Sequence, residues 1–472
     1  MSATRCFIVL FVMAGFFQAC SNGTAQDKAQ TASSSTLPNI ILIVADDLGY
    51  PYAGFMGDTI VKTPNLDRLA SAGTVFRNGM VTANHCAPSL RTIITGLHSY
   101  QYNKRMENLR EQVRTEKTEG LSKEDSIIWE KDFKWKAMPY FNTLPKMLAA
   151  EQYASFQGGK WWEFNYQNGG FTHGMSTGWT KEDRQTDSIF YKFMGNAGLA
   201  LGRVTNQPVF DFIDAHREQP FMVWYAPDLP HFPLDAPDKY YNKYKDLELS
   251  ESAKRYYANI SWFDDNIGAI RNHIEQKGLL ENTLFIYVND NGWEQPPQAE
   301  YRNDPLLWHN GGDKGKISYY DQSFHTPLFF TLSGKIPAAQ VKSELVSSMD
   351  ILPTVLDYVG IESPAYLPGR SLRTNIEQAD QAEGYEHLIG NFTQLRDRAD
   401  MMGKKANGYW MRTPNYHFVW DVLEEQVELY DMQKDPNNDH NIAAELPAVV
   451  HEMKEQIEAW KQEMAASIAT IQ

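Results

Sequence analysis

The sequence has very few cysteines. It contains three in 472 residues, and Cys6 and Cys20 both lie within the first twenty positions. The rest of the chain has only Cys86, which excludes a disulfide framework there. Because Cys86 has no disulfide partner in the rest of the chain, its presence favours a chemical function for this residue.

Positive charge and long apolar runs are also scarce. The chain has 44 Lys and Arg against 59 Asp and Glu, a formal net charge of −15, which argues against nucleic-acid binding. Recognition of an anionic substrate would therefore need cations placed locally at the site. The apolar run from Phe7 to Phe17 is too short to span a bilayer comfortably.

The N-terminal segment resembles a bacterial lipoprotein signal peptide. A basic start ending at Arg5 precedes the apolar run, and the small residue Ala19 precedes Cys20. We predict a signal peptide over residues 1–20 and a flexible tether over 21–36. A plain secretory signal cut nearby is the alternative. Either way we expect an exported protein, in the periplasm of a bacterium or anchored to a membrane by a lipid on Cys20.

The order of apolar segments indicates an α/β fold. Continuous apolar runs predict buried strands, and amphipathic segments between them predict helices. The predicted strands are 39–44, 153–156, 220–225 and 283–288, and the predicted helices are 63–70, 144–152 and 351–359. From about residue 385 shorter strand-like stretches indicate a small antiparallel sheet, followed by a helix over 447–468. We predict a large domain over residues 37–380 and a smaller one over 381–472.

Acidic and amide side chains follow two of the predicted strands. Asp46 and Asp47 come after the first strand, and Asp290 and Asn291 after the last. The carboxyl ends of strands are where open α/β sheets place their sites. Ligands that are all oxygen select a hard cation, calcium or magnesium, over zinc.

The segment Cys86-Ala87-Pro88-Ser89-Leu90-Arg91 opens an apolar helical pattern that continues to Gly96. Proline suits the first turn of a helix, so we expect Cys86 at or just before the helix N-terminus, where anions are favoured. Taken alone, such a cysteine is either a small buried hydrophobe or a nucleophile. The segment 97–142 that follows is long and rich in aromatic residues, and it forms either a substrate-facing lid or a solvated helical excursion.

Seven motifs, in the same order along the chain, resemble the formylglycine-dependent (type I) sulfatase family. They are Asp46-Asp47-Leu48-Gly49, Thr63-Pro64-Asn65 through Ala70, Cys86 to Gly96, Gly159-Lys160-Trp161, Pro230-His231 with Pro233, Asp290-Asn291-Gly292 and Asp350-Ile351-Leu352-Pro353-Thr354. The resemblance implies the alkaline-phosphatase-like fold. In that fold a large mixed β-sheet is sandwiched by helices, and a smaller C-terminal α+β domain carries a four-stranded antiparallel sheet.

The resemblance also implies a mechanism and its residues. In this family a maturation enzyme oxidises the cysteine, here Cys86, to formylglycine, and the hydrate of that aldehyde attacks sulfur and later expels sulfate. The implied catalytic residues are Cys86, Arg91, Lys160, His231 and Lys316, with Lys314 as the alternative to Lys316. The implied metal ligands are Asp46, Asp47, Cys86, Asp290 and Asn291. Calcium is the metal that the resemblance implies, and magnesium suits the same ligands.

Two positions depart from the family pattern. The arginine of the cysteine motif stands one place later than usual, because Leu90 intervenes before Arg91. Trp162 stands where the family usually has a histidine, two residues after the lysine, and indole can neither accept a proton nor carry a positive charge.

His173 could be a substrate contact or a turn residue.

We therefore expect a sulfatase that acts on sulfate esters, with a sulfated poly- or oligosaccharide as the expected substrate. One alternative is a phosphomonoester or phosphonate ester hydrolase on the same scaffold. Another is a catalytically degenerate homologue that binds sulfated glycan without turnover. The displaced Arg91 and the replacement of a histidine by Trp162 suggest this alternative.

Overall fold

A computed structural model describes residues 37–186, 189–293, 314–378, 380, 383–393 and 407–471. The predicted signal peptide and tether lie outside the described residues. Within these ranges, no helix combines the length and the apolar character needed to cross a bilayer.

The described strands form two sheets. Eight belong to a mixed sheet with the order β4-β3-β5-β1-β6-β7-β2-β8, in which β7 runs antiparallel to both neighbours and the other pairs are parallel. These strands are β1 (Asn39–Ala45), β2 (Thr74–Met80), β3 (Ala154–Gly159), β4 (His173–Gly174), β5 (Phe221–Ala226), β6 (Thr283–Asn289), β7 (Leu328–Thr331) and β8 (Gln340–Ser347). Four form an antiparallel sheet, namely β9 (Leu388–Thr393), β10 (Asn407–Arg412), β11 (Tyr416–Asp421) and β12 (Gln426–Asp431).

Helices connect the strands and cover the large sheet. They are α1 (Pro64–Ser71), α2 (Cys86–Thr95), α3 (Ser99–Thr118), α4 (Lys123–Lys136), α5 (Leu144–Leu148), α6 (Ile189–Met194), α7 (Gln207–His216), α8 (Asp238–Tyr241), α9 (Glu251–Gln276), α10 (Asp321–Phe324), α11 (Ile351–Val359), α12 (Arg373–Glu377) and α13 (Pro447–Ser467). The predicted helix over 144–152 is shorter than expected, because a 3₁₀ turn over Ala149–Glu151 follows α5.

The central strand β1 shows why an uninterrupted apolar run is needed. Its residues are buried on both faces of the sheet. Ile40, Leu42 and Val44 pack in one core with residues of α2 and α11. Ile41 and Ile43 pack in a second core with residues of α1 and α9. The expected helix–sheet–helix layers with an additional four-stranded antiparallel sheet are therefore confirmed, while the domain boundary at residue 380 stays a prediction.

The segment after α2 is helical. It consists mainly of α3 and α4, and α3 begins at the capping residue His98, whose Nδ1 accepts the backbone N–H of Tyr100 at 3.0 Å. Gln101 of α3 donates to Ser467 at the end of α13 at 2.7 Å. The segment 97–142 is therefore mainly helical and contacts α13, while its function as a substrate-facing lid stays a prediction.

Four neighbouring strands decide where a site can form. β3, β5, β1 and β6 are adjacent and mutually parallel, so their carboxyl ends meet at one edge of the sheet. The polar residues that follow each of these strands are therefore brought together.

Candidate active site

The carboxyl edge of the sheet gathers almost all of the predicted site residues. Asp46 and Asp47 follow β1, Lys160 follows β3, His231 follows β5, and Asp290 and Asn291 follow β6. All are buried, as is Cys86 at the start of α2. We call Asp46, Asp47 and Asp290 the carboxylate cluster.

The carboxylate cluster fits a divalent cation. One ligand atom from each of its three members and the Cys86 Sγ all lie within 4.8 Å of one another. Within the described residues, Asp290 Oδ2 and Asn291 Oδ1 are buried without a hydrogen-bond partner. Burial, and then the charges of Asp46 and Asp47, raise the pKa of Asp290 well above its usual range. Hard cations bind carboxylate and amide oxygens, and this group is close-set and buried with one oxygen of each kind unpartnered, so it could hold such an ion.

Two lysines contact the carboxylate cluster from different sides. Lys160 Nζ lies 2.8 Å and 2.6 Å from the two carboxylate oxygens of Asp46. Lys316 Nζ lies 2.9 Å from Asp47 Oδ2. Burial alone would raise the pKa of the Asp47 carboxyl, but the nearby positive charges, first that of Lys316 and then those of His231 and Lys160, together lower it. The two lysines therefore place two positive charges next to Asp46 and Asp47.

A glycine lets Lys160 reach this position. Gly159 has a φ of 92°, and a Cβ there would lie 1.9 Å from the carbonyl oxygen of Ala226. Lys160 N donates to the same carbonyl at 2.7 Å. The close approach of β3 and β5 at this point requires glycine.

Cys86 is the first residue of α2, as expected from the proline two places later. Its Sγ lies 3.5 Å from Lys160 Nζ. Burial raises the pKa of the Cys86 thiol strongly, although the charge of Lys160 acts in the opposite direction. Burial therefore disfavours the thiolate, which is the nucleophilic form of a cysteine.

His231 lies in a loop that is held at several carbonyl groups. Arg203 donates to the carbonyl oxygen of His231 at 2.6 Å, and Asn259 donates to the same oxygen at 3.2 Å. The imidazole Nδ1 lies 2.6 Å from the carbonyl oxygen of Phe232. Because a carbonyl only accepts, Nδ1 carries the proton and Nε2 faces Asp47 Oδ2 at 3.7 Å.

Asp228 belongs to the same surroundings and was missed by the sequence reasoning. Its Oδ1 lies 3.4 Å from His231 Nδ1 and 3.9 Å from Lys160 Nζ. The available signal was its position directly after β5, in Pro227-Asp228-Leu229-Pro230-His231. His231, which follows the same strand end, was the only residue predicted there.

The structure distinguishes Lys316 from Lys314. Lys314 Nζ donates to the carbonyl oxygens of Asn437 and Asn438 at 2.8 Å and 2.9 Å, on the C-terminal side of the molecule. Lys316 instead reaches the carboxylate cluster. The next residue, Ile317, has a φ of 72°, which is unusual for a β-branched residue, and its N–H donates to Asn84 O at 2.9 Å. This bond ties the Lys316 segment to the residues just before Cys86.

Arg91 is the predicted site residue that the structure places elsewhere. Its Nε lies 2.6 Å from Glu163 Oε1, and its Nη2 donates to the carbonyl oxygen of Lys134 at 2.7 Å. The guanidinium also lies over the rings of Tyr102 and Trp135. These contacts use the guanidinium away from the carboxylate cluster.

The helical register of α2 explains this placement. Arg91 lies five positions after Cys86, which rotates the arginine by about 140° from the cysteine around the helix axis. Leu90, four residues after Cys86, points closer to the cysteine's side and is buried in the core. Arg91 therefore faces Glu163 and forms a buried ion pair with it.

Trp162 packs as an aromatic residue of the core. Its ring stacks on Trp135 with centroids 5.3 Å apart, and Lys160 Nζ lies 6.0 Å from its centroid. No described residue accepts a hydrogen bond from its buried Nε1. His173 lies at β4 and its ring is 4.8 Å from that of His216.

Most of the chain is similar to known proteins. Residues 38–361 match the sulfatase family, and residues 312–463 match the family described as N-sulphoglucosamine sulphohydrolase, C-terminal. An arylsulfatase of Clostridium perfringens is 24% identical over 481 residues, covering 86% of this chain and 90% of that protein. An N-acetylglucosamine-6-O-sulfatase of Bacteroides thetaiotaomicron is 22% identical over 507 residues, covering 86% and 82%.

Solved structures share the fold. A protein solved in complex with its substrate D-glucosamine-2-N,6-O-disulfate superposes with a TM-score of 0.69 at 18% identity, covering 91% of this chain and 99% of that one. The phosphonate monoester hydrolase of Agrobacterium radiobacter superposes with a TM-score of 0.63 at 18% identity, covering 90% and 96%.

Proposed function

The chain belongs to the sulfatase family, and on this premise we propose that it hydrolyses sulfate esters carried by carbohydrates. One observation carries the proposal. Lys160, Lys316 and His231 converge beside Cys86 and the carboxylate cluster, at the edge where four parallel strands end. Support for a carbohydrate substrate comes from the relatives, of which one is an N-acetylglucosamine-6-O-sulfatase and another was solved with a sulfated glucosamine.

Two groups complete the site in our proposal. Formylglycine at Cys86 would supply a hydrated aldehyde oxygen as nucleophile, and a cation, for which we propose calcium, would supply positive charge to the sulfuryl oxygens. The residues that would hold this cation are Asp46, Asp47, Asp290, Asn291 and the modified Cys86. Magnesium suits the same oxygen ligands.

The chain's own residues bind and orient the sulfate group. Lys160 and Lys316 offer ammonium groups to the sulfate oxygens in a buried site, where such charges act more strongly than in water. His231 holds its proton on Nδ1 through Phe232. Its Nε2 is therefore available, and a negatively charged sulfate beside it favours a second proton there. Protonated in this way, His231 can donate to the leaving oxygen.

We also propose that the protein is exported and reaches the periplasm or a membrane surface. The support is the N-terminal pattern ending at Cys20. The substrate would then be a sulfated glycan that the cell meets outside its cytoplasm. Metabolic labelling with a radioactive fatty acid, compared between the parent and Cys20→Ala, tests whether a lipid is attached.

Mass spectrometry of the peptide that contains Cys86 tests the central proposal. After co-expression with a formylglycine-generating enzyme, we expect the mass of an aldehyde in place of the thiol, together with sulfate release from a panel of sulfated sugars. An intact thiol and no sulfate release from any sugar in the panel would overturn the proposal.

A phosphonate or phosphate ester hydrolase is the second candidate. The observation that favours it is the shared fold with the Agrobacterium radiobacter phosphonate monoester hydrolase. Kinetics on matched 4-nitrophenyl sulfate, phosphate and phenylphosphonate distinguish the two, and faster turnover of either phosphorus ester would favour this candidate.

A binding protein without turnover is the third candidate. The engagement of Arg91 by Glu163 and the presence of Trp162 favour it. An inactive parent that binds sulfated sugars as tightly as Cys86→Ala would support this candidate.

A further inference from the structure

Asp47 has an uncommon backbone conformation. Its φ is 63°, which lies in the left-handed region that residues with a side chain rarely adopt. A conformation of this kind persists only where the surrounding contacts fix it. Since Asp47 belongs to the carboxylate cluster, the contacts that hold its backbone also determine where its carboxylate points.

One hydroxyl group bridges the two ends of this turn. Tyr256, in α9, donates from its Oη to the carbonyl oxygen of Asp47 at 2.6 Å, and the same Oη accepts the backbone N–H of Gly49 at 2.9 Å. Tyr256 is 1% exposed, and burial raises the pKa of its hydroxyl well above the ordinary value. The hydroxyl therefore keeps its proton and remains a donor to Asp47.

The ring of Tyr256 is fixed by other aromatic rings beside the site. It stacks on Trp293 with centroids 4.0 Å apart and an interplanar angle of 1°, and it meets Tyr52 edge-on at 6.0 Å. Trp293 comes two residues after Asn291, and its carbonyl oxygen accepts the backbone N–H of Lys316 at 2.8 Å. Tyr256 thus joins the turn after β1 to the segments that carry Asn291 and Lys316.

The position of Asp47 affects the oxygen atoms of two other proposed ligands. Asp47 N donates to Asp290 Oδ1 at 2.9 Å, and Asn291 Nδ2 donates to Asp47 Oδ1 at 2.7 Å. Among the described residues, these bonds leave Asp290 Oδ2 and Asn291 Oδ1 buried and without a hydrogen-bond partner. A shift of the Asp47 backbone would therefore disturb the oxygens of all three residues.

We propose that Tyr256 is a positioning residue of the cation site. Its hydroxyl holds the Asp47 backbone so that Asp47, Asp290 and Asn291 present their oxygens to one divalent cation. This inference rests on the proposed function, and it assigns a contribution to a helix, α9, that carries none of the proposed ligands. Loss of a contact that orients metal ligands typically weakens metal binding by roughly 10- to 100-fold.

Calcium titrations of the full chain test the inference. A chelator removes bound metal, and isothermal titration calorimetry with calcium chloride then gives the dissociation constant. Tyr256→Phe removes the hydroxyl and keeps the ring that stacks on Trp293. Tyr244→Phe is the matched control, because Tyr244 is also 1% exposed. Its hydroxyl accepts the backbone N–H of Lys62 at 2.9 Å and lies 2.6 Å from Ser261 Oγ, and neither partner belongs to the site.

We expect Tyr256→Phe to raise the calcium dissociation constant by about tenfold, because the ligands lose part of their orientation. Tyr244→Phe should bind calcium as the parent does. The melting temperature of the metal-free protein should fall by a similar amount in both variants, since each loses buried hydrogen bonds. An unchanged dissociation constant in Tyr256→Phe, or an equal rise in Tyr244→Phe, would overturn the inference.

Gly49→Ala tests the same contact and leaves the Tyr256 hydroxyl in place. A Cβ at Gly49 would lie 2.9 Å from Trp293 N and 3.0 Å from Trp293 Cβ, so the turn that carries the Gly49 N–H must shift. We expect this variant to bind calcium more weakly than the parent. If Tyr256→Phe does not fold, Gly49→Ala decides, and an unchanged dissociation constant would overturn the inference.

Sulfate release by the parent separates this inference from the proposed function. Weaker calcium binding in Tyr256→Phe, together with a parent that releases no sulfate from any sugar, would overturn the function and support the positioning by Tyr256. Sulfate release by the parent with an unchanged dissociation constant in Tyr256→Phe would overturn the inference and leave the function standing. A parent that binds no calcium would also overturn the inference.

Discussion

Two buried groups of charges lie near helix α2, and they differ in how well they are balanced. The carboxylate cluster has three acidic groups and two lysine contacts, and it leaves Asp290 Oδ2 without a hydrogen bond among the described residues. The Arg91–Glu163 pair matches one cation with one anion at 2.6 Å. Aromatic rings and a backbone carbonyl contact the rest of the guanidinium, and Glu163 Oε2 is buried without a hydrogen-bond partner among the described residues.

The difference separates a site that binds ligands from a structural contact. Excess buried acid is costly unless a cation or a substrate compensates for it, so the carboxylate cluster is arranged for function. The Arg91–Glu163 pair is matched one to one in charge, so it needs no further counter-ion. Charge-neutralising substitutions in the two groups should therefore act on different properties.

The largest expected effect is on activity. Asp290→Asn keeps the size of the side chain and the bond from Asp47 N, but removes one acidic ligand. We expect sulfate release to fall by about 10³-fold, because stabilisation of transition-state charge depends on a fully held cation. Ion chromatography of released sulfate measures it. Activity within threefold of the parent would show that Asp290 is not part of the site.

The next effect is on stability and belongs to the Arg91–Glu163 pair. Glu163→Gln leaves a buried guanidinium without its counter-charge, and we expect a loss of about 3 kcal/mol in the free energy of unfolding. Urea unfolding measures this loss. Glu107→Gln is the control, because its ion pair with Lys104 is about half exposed and should cost less than about 1 kcal/mol.

The result would be contradicted if Glu163→Gln were as stable as the control. A fall in activity at full stability would instead indicate that the Arg91–Glu163 pair takes part in the reaction. In that case the contrast between the two charge groups would fail.

Removal of divalent metal should lower the thermal stability of every variant whose carboxylate cluster is intact. A ligand at a hundredfold excess over its dissociation constant stabilises the folded state by about 2.7 kcal/mol. We expect a chelator to lower the melting temperature of the parent and of Glu163→Gln by the same amount, with calcium restoring it. Asp290→Asn should respond weakly. Differential scanning calorimetry with and without calcium gives the comparison, and an equal response in Asp290→Asn would contradict it.

The smallest effect concerns a buried histidine outside both groups. Burial lowers the pKa of His98 to about 4, and its neutral ring caps α3 and contacts the carbonyl of Ile389. A folded-state pKa below the unfolded value gives stability that is present above about pH 6.5 and is lost as the pH falls towards 4. Between pH 7.5 and pH 5 this loss is about 2 kcal/mol.

Substitution of His98 isolates this contribution. His98→Asn keeps a good capping side chain but removes the titration, so its unfolding free energy should depend less on pH by that amount. His451→Asn serves as the control, because the His451 side chain is 77% exposed. Identical pH profiles of the parent and His98→Asn, measured by urea unfolding, would contradict the prediction.

Much of the site could be predicted because its residues directly follow recognisable strands. Asp46 and Asp47 follow the apolar run of β1, and Asp290 and Asn291 follow that of β6. Neighbouring parallel strands end at the same edge of the sheet. Residues that follow such strands in the sequence are therefore also close in space. The preference for Lys316 over Lys314 came from the resemblance to the family.

Other features depend on contacts that no local pattern contains. Glu163 was not singled out, because its role arises only when β3 and α2 place it opposite Arg91. Asp228 was overlooked although it follows β5, since its neighbours Lys160 and Arg203 are remote in sequence. Strands β2, β4, β7 and β8 were not predicted, and β7 also runs against the direction of its neighbours in the sheet.

The sequence by itself determined the layered α/β fold, the polar residues at the strand ends and the position of Cys86 at a helix start. These depend on hydrophobic periodicity and on residue preferences within a few positions. The tertiary structure decided which charges meet. It directs Arg91 to Glu163, Lys160 to Asp46 and the hydroxyl of Tyr256 to Asp47. Side-chain contacts of this kind depend on the register and packing of elements far apart in the chain, and a single residue's shift along a helix is enough to redirect them.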